Sequence, residues 1–98
     1  MNLSNTIQQL KKIEAIAIDI IDSDMEAEYK YDLIFSEKIS RKVFSLFQES
    51  PLRFDYYDPD TSYEEDIQAF VSALTEHIQR LDELYQSNQH IYDRLEKL

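Results

Sequence analysis

Residues 67–98 read IQAFVSALTEHIQRLDELYQSNQHIYDRLEKL, and their spacing decides the fold class. Ile67, Phe70, Leu74, His77, Leu81, Leu84, Asn88, Ile91, Leu95 and Leu98 follow one another at alternating steps of three and four. An α-helix turns once in 3.6 residues, so the series runs along one face, at the a and d positions of a heptad. Val71, Ile78, Tyr85 and Tyr92 add a column beside it. A stripe this wide suits a helix inside a bundle better than one strand of a two-stranded coil. A single straight helix from Ser62 to Leu98 would be roughly 54 Å long, against a radius of gyration of about 13 Å for a compact domain of this size. Two outcomes are therefore open: the helix breaks near Ser87 and Asn88 and folds back, or it pairs with a second copy of the chain. Asn88 suits both, as a helix C-terminal residue or as a polar, register-setting a position.

Upstream of this stretch, Thr61 with Glu64, or Ser62 with Glu65, supplies the start cap. Pro51 and Pro59 bound the one clear interruption in the pattern, ESPLRFDYYDPDT at 49–61, where Asp58-Pro59-Asp60 is a turn signal. Earlier still, Met25, Tyr29, Leu33, Phe35, Ile39, Val43, Leu46 and Phe47 fit either one helix or two joined near Ser36. Ser23 and Glu26 read as a capping box that opens this region. In the first segment, Leu3, Ile7, Leu10, Ile13, Ala17 and Ile20 or Ile21 form a helical face, with Lys11 and Lys12 outside. Ile16 and Ile18 widen that face, which predicts deeper burial in the second half of the helix. The expectation is an all-α, antiparallel helical bundle of four to five helices, one domain over residues 1–98, with a long C-terminal helix or helix pair.

Composition narrows the chemistry. The 98 residues contain no glycine and no cysteine. Without glycine there is no phosphate-cradling P-loop and no dinucleotide fingerprint, because both need the backbone to approach the ligand closely. Without cysteine there is no disulfide framework, no thiolate zinc site and no thiol nucleophile. The first residues lack the basic region of a secretory signal. The apolar run from Ala15 to Ile21 is interrupted by Asp19 and is too short to span a bilayer. A soluble, cytoplasmic protein is expected. Twenty acids against ten bases give a net charge of −10, which repels duplexes and anionic membranes and favours a basic protein partner.

No metal or cofactor site is expected. Asp58, Asp60 and Ser62 imitate the start of a calcium loop, but Tyr63 stands where glycine is needed and Ala69 where glutamate is needed. Asp22, Asp24 and Glu26 fail in the same way, with Ala27 and Leu33. His77 lies on the apolar stripe and reads as a hydrogen-bonded core histidine. No nucleophile or oxyanion nest accompanies the carboxylates, so the chain reads as a non-enzymatic protein.

The distribution of charge is more informative. Seven acids and no base lie between Arg53 and Arg80, and six acids and no base between Lys12 and Lys30. The first of these stretches also holds Tyr56, Tyr57 and Tyr63. Acids around tyrosines make a surface for a cationic cleft: charge steers the encounter and the aromatic rings hold it. The contact centre would be Asp55, Tyr56, Tyr57, Asp58, Asp60 and Tyr63, with Glu64, Glu65 and Asp66 giving steering. The same three acids also complement the dipole of a helix start.

In its segment from Arg53 to Asp60, RFDYYDPD, followed by an acidic capped helix, the chain resembles bacteriocin immunity proteins. In the colicin DNase immunity proteins, adjacent tyrosines followed by proline and acids lie at the toxin-binding surface, and Tyr56, Tyr57 and Pro59 match that arrangement. The immunity proteins of tRNA-cleaving colicins have a similar stretch before a late helix, matched by Phe54, Pro59 and Asp60. The resemblance covers roughly residues 39–74, and the final helical stretch here is longer. It implies an immunity or antitoxin-type protein that binds and neutralises a basic toxin nuclease domain. Two alternatives stand beside it: an acidic nucleic-acid mimic that inhibits a defence nuclease, and a helical adaptor that forms a homodimer through residues 62–98.

Overall fold

A computed structural model describes residues 2–52 and 62–98. Five helices follow in order: α1 (Leu3–Asp22), α2 (Ala27–Ile34), α3 (Glu37–Glu49), α4 (Tyr63–Ser87) and α5 (Gln89–Glu96). No strand occurs among the described residues. The chain is an all-α bundle, as its periodicity predicts, and it measures 46 × 20 × 20 Å.

α4 is the spine. The residues it buries are Asp66, Ile67, Phe70, Leu74, His77, Ile78 and Leu81; the predicted stripe supplies all but Asp66, while its members Val71, Leu84 and Tyr85 are only partly buried against the core. α1 packs along it in the opposite sense. Lys11 Nζ lies 3.4 Å from Asp82 Oδ2, and the Thr75 hydroxyl donates to Glu14 Oε2 at 2.6 Å, so numbers fall along α4 as they rise along α1. Leu3, Leu10, Leu74 and Leu81 are wholly buried in this seam. Burying each is worth about 1.5–3 kcal/mol. On the other flank the contacts advance in the same sense as α4: Tyr31 meets Tyr63, Phe35 meets Phe70, and Phe47 meets His77. The bundle is thus antiparallel between α1 and α4; α2 packs alongside α4, and α3 continues in the same sense but packs chiefly against α1, touching α4 through Phe47 and His77.

The joint near Ser36 makes two helices rather than one. Phe35 closes α2 and Ser36 opens α3. The register differs from the expected one at two positions: Ile34 is buried, whereas Tyr29 is exposed. The capping box expected at Ser23 does not form. Ser23 ends α1, its hydroxyl donating to Ile20 O at 2.6 Å, and α2 starts later, after Glu26. Burial in α1 also runs the other way from expectation. Its buried residues stop at Ala17, while Ile16 and Ile18 are 50% and 41% exposed. Each stands about 100° to one side of Ala17 around the helix, beyond the flanks that the neighbouring helices cover.

Of the two caps considered for α4, the Ser62 cap is present, its Oγ accepting from the Glu65 amide at 3.2 Å, while Thr61 lies outside the described residues. The C-terminal pattern breaks at Asn88, whose side chain donates to Leu84 O at 3.1 Å. α5 packs chiefly on α4 and buries none of its residues. All five helices end without glycine. At each end an amide bonds three residues back: Ser23 to Ile20, Ser36 to Leu33, Ser50 to Phe47, Asn88 to Tyr85 and Lys97 to Arg94. These tight turns keep φ negative, so no left-handed residue is required. No described helix is long and apolar enough to cross a membrane.

Candidate protein-binding surface

The start of α4 carries the described part of the expected contact surface. Asp55, Tyr56, Tyr57, Asp58 and Asp60 lie outside the described residues. Tyr63, Glu64, Glu65 and Asp66 form the first turn, held by the Ser62 cap and by the Asp66 amide bonded to Ser62 O at 2.9 Å.

Helix geometry sorts these four side chains. Tyr63 stands seven residues before Phe70 and so shares its side of α4. Its ring lies 5.1 Å from Tyr31, which lies 4.5 Å from Phe35, which in turn lies 5.4 Å from Phe70. This aromatic ladder fixes Tyr63 while leaving it 47% exposed. A ring that is rigid and half open loses little entropy when a partner covers it. Glu64 and Glu65 point outward, and among the described residues neither forms an ion pair. Asp66 differs. It stands four residues before Phe70, faces inward and is 5% exposed, so its carboxylate is part of the packing and is withdrawn from the surface.

The fold adds residues that a linear reading leaves out. A depression of about 280 Å³ is lined by Ile21, Met25, Ala27 and Lys30 of the α1–α2 corner and by Glu64, Ile67 and Gln68 of α4. Lys30 Nζ donates to Ile21 O at 2.6 Å and fastens this corner. Asp22, Asp24, Glu26 and Glu28 are exposed around the corner. Parts of the two base-free stretches, Asp22 to Glu28 and Glu64 with Glu65, therefore share one end of the bundle. Three of the ten bases, Lys38, Arg41 and Lys42, are exposed on α3, where Arg41 pairs with Glu37. An open apolar cleft of about 300 Å³ runs between α3 and α4 past Ile39, Val43, Phe47 and Phe70, with Phe44 64% exposed at its edge.

His77 is a packed core residue, 2% exposed. Phe47 lies edge-on at 5.2 Å, and the Ser50 hydroxyl is 3.3 Å from its Nε2. Burial first, and the Arg80 charge second, lower its pKa below the ordinary 6.5. Among the described residues no group of three or more His, Asp or Glu side chains is placed to hold a metal ion.

No protein-family model matches the chain, and no curated protein or solved structure matches it either.

Proposed function

We propose that this chain is a non-enzymatic inhibitor that binds a basic toxin domain, of the nuclease class, and neutralises it. The observation that carries the reading is the acidic end of the bundle. There Glu64 and Glu65 share one end with Asp22, Asp24, Glu26 and Glu28, beside the half-exposed, ladder-held ring of Tyr63. A nuclease must hold a polyanion, so its working surface is cationic. An acidic end is drawn to that surface, and a fixed aromatic ring supplies contact area that charge alone does not. The likeness of residues 53–60 to immunity proteins supports the same reading. Tyr56 and Tyr57 would extend the surface.

The test is capture of the partner followed by charge removal. Tagged protein should retain one basic nuclease domain in stoichiometric amount, and raised salt should weaken the complex. Glu64→Gln with Glu65→Gln, Asp22→Asn and Asp24→Asn should weaken binding at least tenfold while leaving the helical spectrum unchanged. Retention of no basic protein, or undiminished binding by the neutral variant, would overturn the reading. A nucleic-acid mimic would lose binding with these acids but keep it in Tyr63→Ala, whereas the inhibitor proposed here should lose affinity in both.

A further inference from the structure

α5 buries none of its residues. One of its faces is committed to its own molecule: Tyr92 packs 6.0 Å from Tyr85, and the Tyr85 hydroxyl donates to Asp93 at 3.0 Å. Ile91, Leu95 and Leu98 lie on a different face. They are 46%, 52% and 98% exposed, and with Arg94 they line an open depression of about 280 Å³.

These three residues are the last steps of the heptad register that begins at Ile67. Upstream the register is already in use. Ile67, Phe70, Leu74, His77 and Leu81 are buried against the chain's own helices. Pairing along the whole of residues 62–98 would have to strip that core, whereas pairing through α5 displaces nothing.

Charge points to a second copy as the occupant. Residues 89–98 carry Asp93 and Glu96 against Arg94 and Lys97, a net charge of zero, so the whole −10 resides on residues 1–88. Two identical, strongly acidic molecules repel each other over most of their surfaces. That repulsion is smallest at α5, where the local charge is zero, and there the exposed face is apolar. A strongly basic or acidic partner gains no charge attraction at the same place. We propose that α5 is the joint of a homodimer, formed by Ile91, Leu95 and Leu98 of two copies. The inference is independent of the toxin-binding reading. The joint lies at the opposite end of α4 from Tyr63 and Glu64, so both acidic ends stay free in the dimer.

Three aliphatic side chains supply much less than the ~800 Å² that each partner brings to a standard interface. The dimer is therefore weak, with a dissociation constant on the order of 100 μM. Sedimentation equilibrium of the full chain between about 10 μM and about 1 mM tests this range. The mean mass should rise from 11.7 kDa toward twice that value. Ile91→Gln with Leu95→Gln keeps the charge and the helix propensity and should weaken dimerisation at least tenfold. Phe44→Gln, on the other exposed apolar site, should leave it unchanged. A wild-type chain that stays monomeric throughout would overturn the proposal. So would a dimer that survives the α5 change, or one that is lost with Phe44.

Discussion

The Nε2 atom of His77 lies 3.3 Å from the Ser50 hydroxyl and so ties the middle of α4 to the end of α3. Ser50 Oγ also donates to Leu52 O at 3.0 Å and accepts from the Leu52 amide at 3.3 Å. A hydroxyl has one proton to give. With that proton on Leu52 O, the imidazole is the donor in the bond to Ser50.

This arrangement predicts a pH dependence. Burial and Arg80 hold His77 below its ordinary pKa, so the folded state keeps it neutral. The unfolded chain takes up the proton more readily. Stability due to the neutral ring is complete above pH 6.5 and is lost as pH falls from there through the lower folded value. Urea titrations from about pH 7.5 to about pH 5 should show a steeper loss in the wild type than in His77→Gln. Equal slopes would mean that His77 does not titrate with unfolding.

The seam between α1 and α4 should dominate stability. Leu10→Ala and Leu74→Ala remove wholly buried side chains, and each should cost about 2–5 kcal/mol in denaturant unfolding. Ile16→Ala and Ile18→Ala, on the open flanks of α1, should each cost under about 1 kcal/mol. Comparable losses at all four positions would contradict the burial pattern.

The cap at Ser62 should matter more than the serine at the α1–α2 corner suggests from sequence. Ser62→Ala removes the acceptor for the Glu65 amide and should cost about 1 kcal/mol. Ser62→Asp keeps an acceptor and should restore most of the loss. Thermal melts of the two variants decide the point.

The Tyr85–Asp93 bond spans the break at Asn88 and raises the phenol's pKa. Tyr85→Phe should leave the bundle intact but loosen α5. Hydrogen exchange should quicken for amides 91–96 and stay unchanged in the core of α4.

The spine was legible because α4 is long and uniform: six of its residues, from Ile67 to Leu84, keep one register and mark the face that packs inward. The ends of shorter helices were not. A serine hydroxyl can accept an amide at a helix start or donate to a carbonyl at a helix end, and local sequence around Ser23 does not say which. Ile16 and Ile18 show a second limit. Hydrophobicity says which side chains favour burial, but not whether a neighbouring helix exists to cover them. Asp66 shows a third. It reads as one of three equivalent acids until its four-residue spacing from Phe70 is given weight, and then it turns inward. The acidic end was half legible. Each base-free stretch is visible in the chain, but that parts of both share one end depends on how α1 lies on α4, which no local pattern encodes.

The glycine-free helix ends have a consequence for the unfolded chain. The described helix caps all hold negative φ and are residues with a β-carbon. An average chain of this length would have about seven glycines. Each residue that replaces a glycine without strain narrows the denatured ensemble and is worth about 0.4–1 kcal/mol to the native state. Summed, that is on the order of several kcal/mol, comparable to the whole stability of many small domains. A molecule with a narrow core and a charge of −10 has reason to stiffen its denatured state, because it repels itself when compact.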